Sequence, residues 1–352
     1  MNNKRVLVAM SGGVDSTIAA YLLQQEGYTV AGITMQNFSG NAHIKKAKEM
    51  AKALGIDHYV VNVEEEFRNS IISCFCREYI NGRTPNPCVR CNRLIKFGFL
   101  MNSKKNEWPY FATGHYARVE NNAETKQYLL RKGKDIRKDQ SYVLHMLNQE
   151  QLSRLLLPLG GLSKKETFAI ARELKLPIAE GGESQDICFI PEGDYVKFIL
   201  SCLPAIKLIP GPIKNRQGEI LGTHKGLIFY TIGQRKGLGI GYKCPLFVVG
   251  IDKQKNTLIV GEKDELSADV FKITDVLFTN DNYRKDKFNA QVKIRYHHQP
   301  SEAKIKNIGN NDWQVKFQSP QKAITPGQSA VFYDNDIVLG GGVIESVIDR
   351  KG

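Results

Sequence analysis

Hydrophobic positions along this chain follow two rhythms. Up to about residue 175, short runs of branched apolar residues alternate with stretches whose apolar positions recur every three or four residues. The run from Arg5 to Ala9 reads as a buried strand, and a helix opening near Asp15 carries Ile18, Ala19, Tyr21, Leu22 and Leu23 in helical periodicity. The same rhythm predicts strand Tyr28–Met35, helix Ala42–Leu54 stopped by Gly55, strand His58–Val63, helix Glu64–Ile80 and strand Tyr110–Thr113. Such alternation implies an α/β fold with a doubly wound parallel sheet, whose ligand site lies beyond the carboxyl ends of its strands. A hairpin, Tyr116–Glu120 with Gln127–Arg131, precedes a helix around Val143–Leu147 and helices Gln149–Leu157 and Lys164–Leu174.

The second rhythm is period two. It predicts strands Phe271–Phe278, Phe288–Tyr296, Ser301–Ile308, Trp313–Phe317, Ser329–Tyr333 and Ile337–Val347, enough for a small closed β-barrel. Between the two parts the composition turns rich in glycine after Pro210-Gly-Pro212, with short strands only. The expected division is a catalytic domain over 1–204, a central β-rich adaptor over 205–268 and a barrel over 269–352.

Composition narrows the setting. No apolar run approaches the ~20 residues of a membrane-spanning helix, and the seven cysteines, an odd number, fit reduced thiols in the cytoplasm better than a disulfide framework. Lys and Arg exceed Asp and Glu by 13, which points to a polyanionic partner, nucleic acid before membrane. The loop holding Gln234, Arg235 and Lys236 between glycines suits contact with a phosphate backbone.

Chemistry concentrates first at Ala9-Met-Ser-Gly-Gly-Val-Asp-Ser16. Gly12 and Gly13 permit close approach of an anion, Ser11 and Ser16 add hydroxyls, and the helix start that follows presents unsatisfied amides. It is neither a Walker A loop nor a dinucleotide fingerprint. It resembles the Ser-Gly-Gly-x-Asp-Ser loop of the PP-loop ATP pyrophosphatases, which implies ATP on Ala9, Met10, Ser11, Gly12, Gly13, Val14, Asp15 and Ser16, with Asp15 as the Mg²⁺ contact. Met35 falls where an adenine ring would rest, or is plain core; Gly114 allows the nucleotide close; His115 faces substrate or is structural.

Cysteines supply the second centre. Cys88 and Cys91 follow Asn86-Pro87 on an expected first helical turn, where the helix start, Arg83, Arg90 and Arg93 favour thiolates. Cys74 and Cys76 read as core, while Cys188, after the Gly181-Gly182 break, is a candidate third functional thiol.

Taken in order, Thr84-Pro-Asn-Pro with Cys91, Ala112-Thr-Gly-His-Tyr116, Lys138-Asp-Gln-Ser-Tyr142, Ile187-Cys-Phe-Ile190, Gly233-Gln-Arg-Lys-Gly-Leu-Gly239 and Thr325-Pro-Gly-Gln328 resemble the bacterial tRNA-specific 2-thiouridylases over nearly the whole chain. The resemblance implies a PP-loop domain of the adenine nucleotide alpha hydrolase-like fold, a small central domain and a β-barrel. It implies ATP-dependent 2-thiolation of uridine 34 in tRNAs for Lys, Glu and Gln, with sulfur carried as a persulfide on Cys188, supplied by an outside donor, and Cys91 as partner thiol. Contacts to tRNA are implied at Asn86, Pro87, Cys88, His115, Lys138, Asp139, Gln140, Arg295, Tyr296 and Gln328. One departure is chemical: Cys88 stands where the family pattern has Asp, so Cys88, Cys91 and Cys188 holding a [4Fe–4S] cluster is the alternative. The rival classes are a small-molecule PP-loop ligase and a non-catalytic RNA-binding protein.

Overall fold

The computed structural model describes residues 4–37, 40–176, 187–190 and 193–350. Residues 181–186, including the Gly181-Gly182 break and the stretch leading to Cys188, lie outside these. Five parallel strands form the first sheet in the order β3-β2-β1-β4-β7, with β1 Arg5–Ala9, β2 Thr29–Gln36, β3 Asp57–Asn62, β4 Tyr110–Ala112 and β7 Leu155–Leu156. The order reverses at β1, which pairs with β2 on one side and β4 on the other. A crevice opens at such a switch point, and the glycine loop and Gly114-His115 leave the carboxyl ends of the two strands that flank it.

Four expected helices differ. The helix at Gln149 ends at Arg154, and Leu155–Leu156 instead join the sheet beside β4. Pro158 removes the helical option for Leu157, and at the sheet edge Leu155 buries itself in the cluster of Phe111 while the half-buried Leu156 packs in that of Ala112. The segment Ser141–Leu144 is a 3₁₀ turn, and the helices at Glu64 and Pro87 each widen into π-turns, over Arg68–Ile72 and Asn92–Leu100.

A four-stranded sheet, β10-β11-β8-β9, occupies the middle of the chain, built from β8 Gly211–Lys214, β9 Ile220–His224, β10 Phe247–Asp252 and β11 Thr257–Gly261. The last part is the expected barrel: β12 Ser267–Phe278, β13 Lys287–Lys293, β14 Ser301–Gly309, β15 Asp312–Lys322, β16 Ser329–Asp334 and β17 Ile337–Arg350, closed by pairing of β12 with β17. Alternate side chains such as Phe271, Ile305, Trp313, Phe317 and Phe332 fill it.

The barrel is also stitched to the first domain. The hairpin of β5 Ala117–Asn122 and β6 Gln127–Lys132 extends the barrel sheet through Arg131 opposite Ile337. The Asp336 carboxylate accepts from both Arg118 and Arg131 at 2.7 Å. On the other side Thr84 N donates to Pro326 O at 2.8 Å, and Gln328 Nε2 donates to Thr84 O at 2.8 Å. Gly327 has φ +93°, and a Cβ there would stand 2.9 Å from the Thr84 backbone. No helix among the described residues is long and apolar enough to cross a membrane.

Candidate active site

Backbone geometry shapes the loop after β1 into a cup. Ser16 Oγ accepts from Ser11 N at 3.2 Å and donates to Gly13 O at 3.2 Å, and Ser11 Oγ accepts from Gly13 N at 3.4 Å. Helix α1, Val14–Gln25, starts without a side-chain cap, so its first amides face the cup as anion donors. Gly12 sits at φ +78°, and a Cβ would lie 2.6 Å from Lys46 Cβ and 2.9 Å from Ala47 N. Helix α2, Ala42–Ala53, is therefore pressed onto the loop, and Gly12 is required by that contact as well as by any ligand.

The cup opens into a cleft of about 880 Å³. Ala9 to Ser16, Met35, Gly114, His115, Gln140 and Cys188 line it, together with Lys46 and Lys96. Gly114 has a further reason that is invisible in the sequence: a Cβ would meet the backbone of Asp15 at 2.7 Å and Ser16 at 2.8 Å. We expect Gly114→Ala to push the start of α1 aside and weaken ATP binding by roughly 10- to 100-fold, the effect of ~1–3 kcal/mol of overpacking. Equilibrium titration with ATP checks it, and an unchanged affinity would mean that the helix start yields freely.

Asp15 is not open. Its carboxylate accepts from Lys164 Nζ at 2.6 and 2.7 Å and is bonded to the Tyr116 hydroxyl at 2.8 Å. Lys164 begins the helix Lys164–Glu173, which Ser163 and Glu166 fix through a capping box.

The thiol group is arranged differently from the sequence-based expectation. Asn86 caps the helix that starts at Pro87, its Oδ1 accepting from Val89 N at 3.3 Å, so Cys88 and Cys91 stand one turn apart as expected. Cys91, however, is buried against Phe75, Ile95 and Phe189, and burial pushes its thiol up to about 12. Arg83 pairs with Glu78 and Glu345, Arg90 donates to Ser70 O, and Arg93 reaches Met146. The three arginines thus point away from the thiols, and the cation that opposes burial at Cys91 is Lys96. Burial raises Cys88 and Cys188 too, again against Lys96, and Cys188 senses Cys88. Both keep exposed surface, and Cys188 lines the cleft. Cys76 is core, as expected, and lies against Cys202, whereas Cys74 is half-buried.

His115 is buried, its Nδ1 bonded to Thr113 Oγ1 at 2.7 Å. Burial, then Lys96, holds it well below the usual imidazole range, so it faces the cleft neutral. Gln140 Oε1 accepts from Tyr116 N at 3.0 Å. Asp139 turns inward and accepts from Gly133 N, Ser141 N and Ser141 Oγ, leaving its carboxylate no outward face. Arg295 is exposed and donates to Lys322 O at 3.0 Å, and Tyr296 meets Tyr142 edge-on. Tyr142 in turn bonds Asn86 and Ser329 O, linking the barrel face to the cysteine helix. Lys46, Lys96 and Lys164 escaped sequence reasoning. Only Lys96 left a trace, as a lone cation between the apolar Ile95 and Phe97 on a helix downstream of Cys91.

Family models described as a tRNA methyl transferase HUP domain, a tRNA methyl transferase PRC-barrel domain and an aminomethyltransferase beta-barrel domain match residues 4–192, 197–262 and 268–344. The chain is 46% identical to tRNA-specific 2-thiouridylase MnmA 1 of Caldanaerobacter subterraneus subsp. tengcongensis, over 98% of this chain and 99% of that one. It is 45% identical to tRNA-specific 2-thiouridylase MnmA of Geotalea uraniireducens, over 99% and 96%, and 42% identical to that of Natranaerobius thermophilus, over the full length of both.

Proposed function

Since the chain belongs to the family of tRNA-specific 2-thiouridylases, we propose that it replaces the C2 oxygen of uridine 34 in tRNAs for Lys, Glu and Gln with sulfur, converting ATP to AMP and pyrophosphate. The observation that carries this reading is a cleft that holds both an anion cup at Ser11–Ser16 and, on its wall, the thiol of Cys188. A small-molecule ligase needs the cup and has no use for the thiols.

Uracil O2 is a poor leaving group, so the oxygen first attacks the α-phosphorus of ATP and pyrophosphate departs. The cup amides and Lys46 stabilise that charge, and Met35 borders the adenine. The Mg²⁺ of MgATP would be held by the partly exposed Asp15 carboxylate, which would have to exchange its Lys164 partner for the ion, and would neutralise phosphate charge there. A persulfide on Cys188, loaded by an outside sulfur donor, then attacks C2, and AMP leaves. Cys91, as thiolate, attacks Cys188 Sγ; the C2–S–S bond breaks, thiouridine is released, and the resulting Cys91–Cys188 disulfide awaits a thiol reductant. That step requires a reducing compartment, which supports a cytoplasmic site of action. The flipped base rests near Asn86, Pro87, Cys88 and neutral His115. Lys138, Gln140, Arg295, Tyr296 and Gln328 hold the tRNA around it, and Asp139 contributes by shaping the Lys138–Gln140 turn.

The cluster alternative fits less well. Among the described residues, no three His, Cys, Asp or Glu side chains stand together as a metal site. The test is an anaerobic assay with uridine-34 tRNA, MgATP and a persulfide donor, run beside a Cys88→Ala variant with iron content measured. One AMP and one pyrophosphate per thiouridine, without iron and with the variant active, is the expected result. About four irons lost with Cys88 would replace the persulfide by a cluster, and ATP turnover driven by a small carboxylate instead of tRNA would sink the assignment.

A further inference from the structure

The turn that leaves β4 at its carboxyl end is built around one hydroxyl. Thr113 and His115 are both buried, and Thr113 Oγ1 stands 2.7 Å from His115 Nδ1 while also accepting from His115 N at 3.5 Å. That hydroxyl has no other partner among the described residues. Its proton therefore has one acceptor within reach, the lone pair of Nδ1. A second threonine–histidine pair in the same domain has the opposite polarity. Thr34 Oγ1 donates to Met10 O at 2.7 Å, so the His58 Nε2 that lies 2.8 Å from it has to be the donor. No carbonyl competes for the Thr113 proton in that way.

With Nδ1 accepting, the neutral ring carries its own proton on Nε2. Burial and Lys96 keep it neutral. Nε2 has no partner among the described residues, and unlike the orphaned Nε2 of His145 in the core it is not sealed off, since His115 lines the cleft. The backbone that carries the ring is held on both sides. Gly114 abuts Asp15, and Tyr116 exchanges two bonds with Gln140, its N donating to Oε1 at 3.0 Å and its O accepting from Gln140 N at 2.8 Å. The first of these turns Oε1 back toward the turn, so the end that Gln140 has left for the cleft is its NH2. Both side chains thus direct donors into the cleft. Uracil and cytosine present the same C2 oxygen to adenylation, but uracil has a carbonyl at C4 where cytosine has an amino group. A fixed donor matches the first and opposes the second, and a bond to O4 leaves the lone pairs of O2 free to attack phosphorus.

We propose that Thr113 is a positioning residue that fixes His115 as the Nε2–H tautomer, and that His115 then reads the C4 carbonyl of the flipped base, admitting uridine and refusing cytidine. This rests on the thiouridylase reading. The test uses the full-length enzyme with two tRNAs that differ only in carrying uridine or cytidine at position 34. Thr113→Val keeps the shape and loses the hydroxyl, so both tautomers become populated. Its kcat/KM for the uridine tRNA should fall about 10- to 100-fold, the usual effect of one polar contact left unmade, with the KM for ATP unmoved. Preference for uridine over cytidine should shrink by a similar factor, and Thr113→Ser should recover most of both. An equal loss on the two tRNAs would make Thr113 merely structural and overturn the proposal. A second measurement is independent of turnover: nitrogen NMR of enzyme carrying isotope-labelled histidine, with the His115 signal assigned through His115→Asn. It should find Nδ1 bare and Nε2 protonated in wild type, and a mixture in Thr113→Val. A proton on Nδ1 in wild type overturns the proposal even if Thr113→Val fails to fold. A wild type that has the expected tautomer yet thiolates neither tRNA removes the thiouridylase reading instead.

Discussion

Cys188→Ser stops formation of 2-thiouridine while leaving tRNA-dependent pyrophosphate release running. The hydroxyl fills the thiol's place in the cleft without carrying a transferable sulfur, so the loss of product should reach roughly a factor of 10³ or more, as for removal of a covalent nucleophile. In the proposed mechanism adenylation belongs to the cup end of the same cleft and has no need of Cys188. Cys91→Ser should separate the next step: sulfur has joined C2 but Cys188 is not released, so a protein–tRNA adduct accumulates and dithiothreitol frees thiolated tRNA from it. Denaturing gels with and without reductant, beside nucleoside analysis, read both outcomes. Full thiolation by Cys188→Ser would end the persulfide route, and an adduct-free, fully active Cys91→Ser would remove Cys91 from the chemistry.

The second large effect belongs to Lys96. Burial pushes the Cys91 pKa up to about 12, so at neutral pH it is a thiol, and Lys96 is the group that opposes burial there, at Cys88 and at Cys188. Lys96→Met removes that cation from a site where water screens little. Single-turnover sulfur transfer should fall by about 10²–10³-fold, the usual cost of deleting one preorganised charge, with ATP affinity nearly unchanged. The sign of the pH effect is fixed by the direction of the shift. With a raised thiol pKa the reactive thiolate grows as pH rises, by about tenfold per unit well below the pKa. The rate in wild type should therefore climb from pH 7 to 9, the variant should run parallel below it, and Lys96→Arg should recover part of the gap. A variant with a higher KM for tRNA and an unaltered rate at saturation would make Lys96 a mere RNA contact.

Both experiments depend on features of unequal visibility in the sequence. The glycine loop, the strands behind it and the six barrel strands were legible because each rests on local rules: periodicity, turn residues and a helix start. Leu155–Leu156 misled, because two leucines after a helix favour either state and only the open edge of β4 decides for strand. The thiolate expectation at Cys88 and Cys91 failed for a related reason. Arg83, Arg90 and Arg93 are near the cysteines in sequence, but Glu78, Glu345, Ser70 and Met146 claim them in space. At Gly114 the sequence suggested only an approach route for a nucleotide, whereas the steric cause, the backbone of Asp15 that excludes a side chain there, belongs to a distant part of the sequence. Asp139 likewise reads as a surface polar residue until its three inward hydrogen bonds are seen.

The stitching between hairpin and barrel has a consequence for how the molecule comes apart. The Asp336 turn is gripped by Arg118 and Arg131, and the turn around Gly327 is hooked onto Thr84, so barrel and catalytic sheet share backbone and ion-pair contacts at two separated places. Neither can open without tearing the other. The two ends of the chain therefore melt as one cooperative block, and a fragment ending before the barrel would leave the segment leading into the cysteine helix without its backbone partners. The N-terminal half is in this sense an unfinished enzyme until synthesis has passed the last strand.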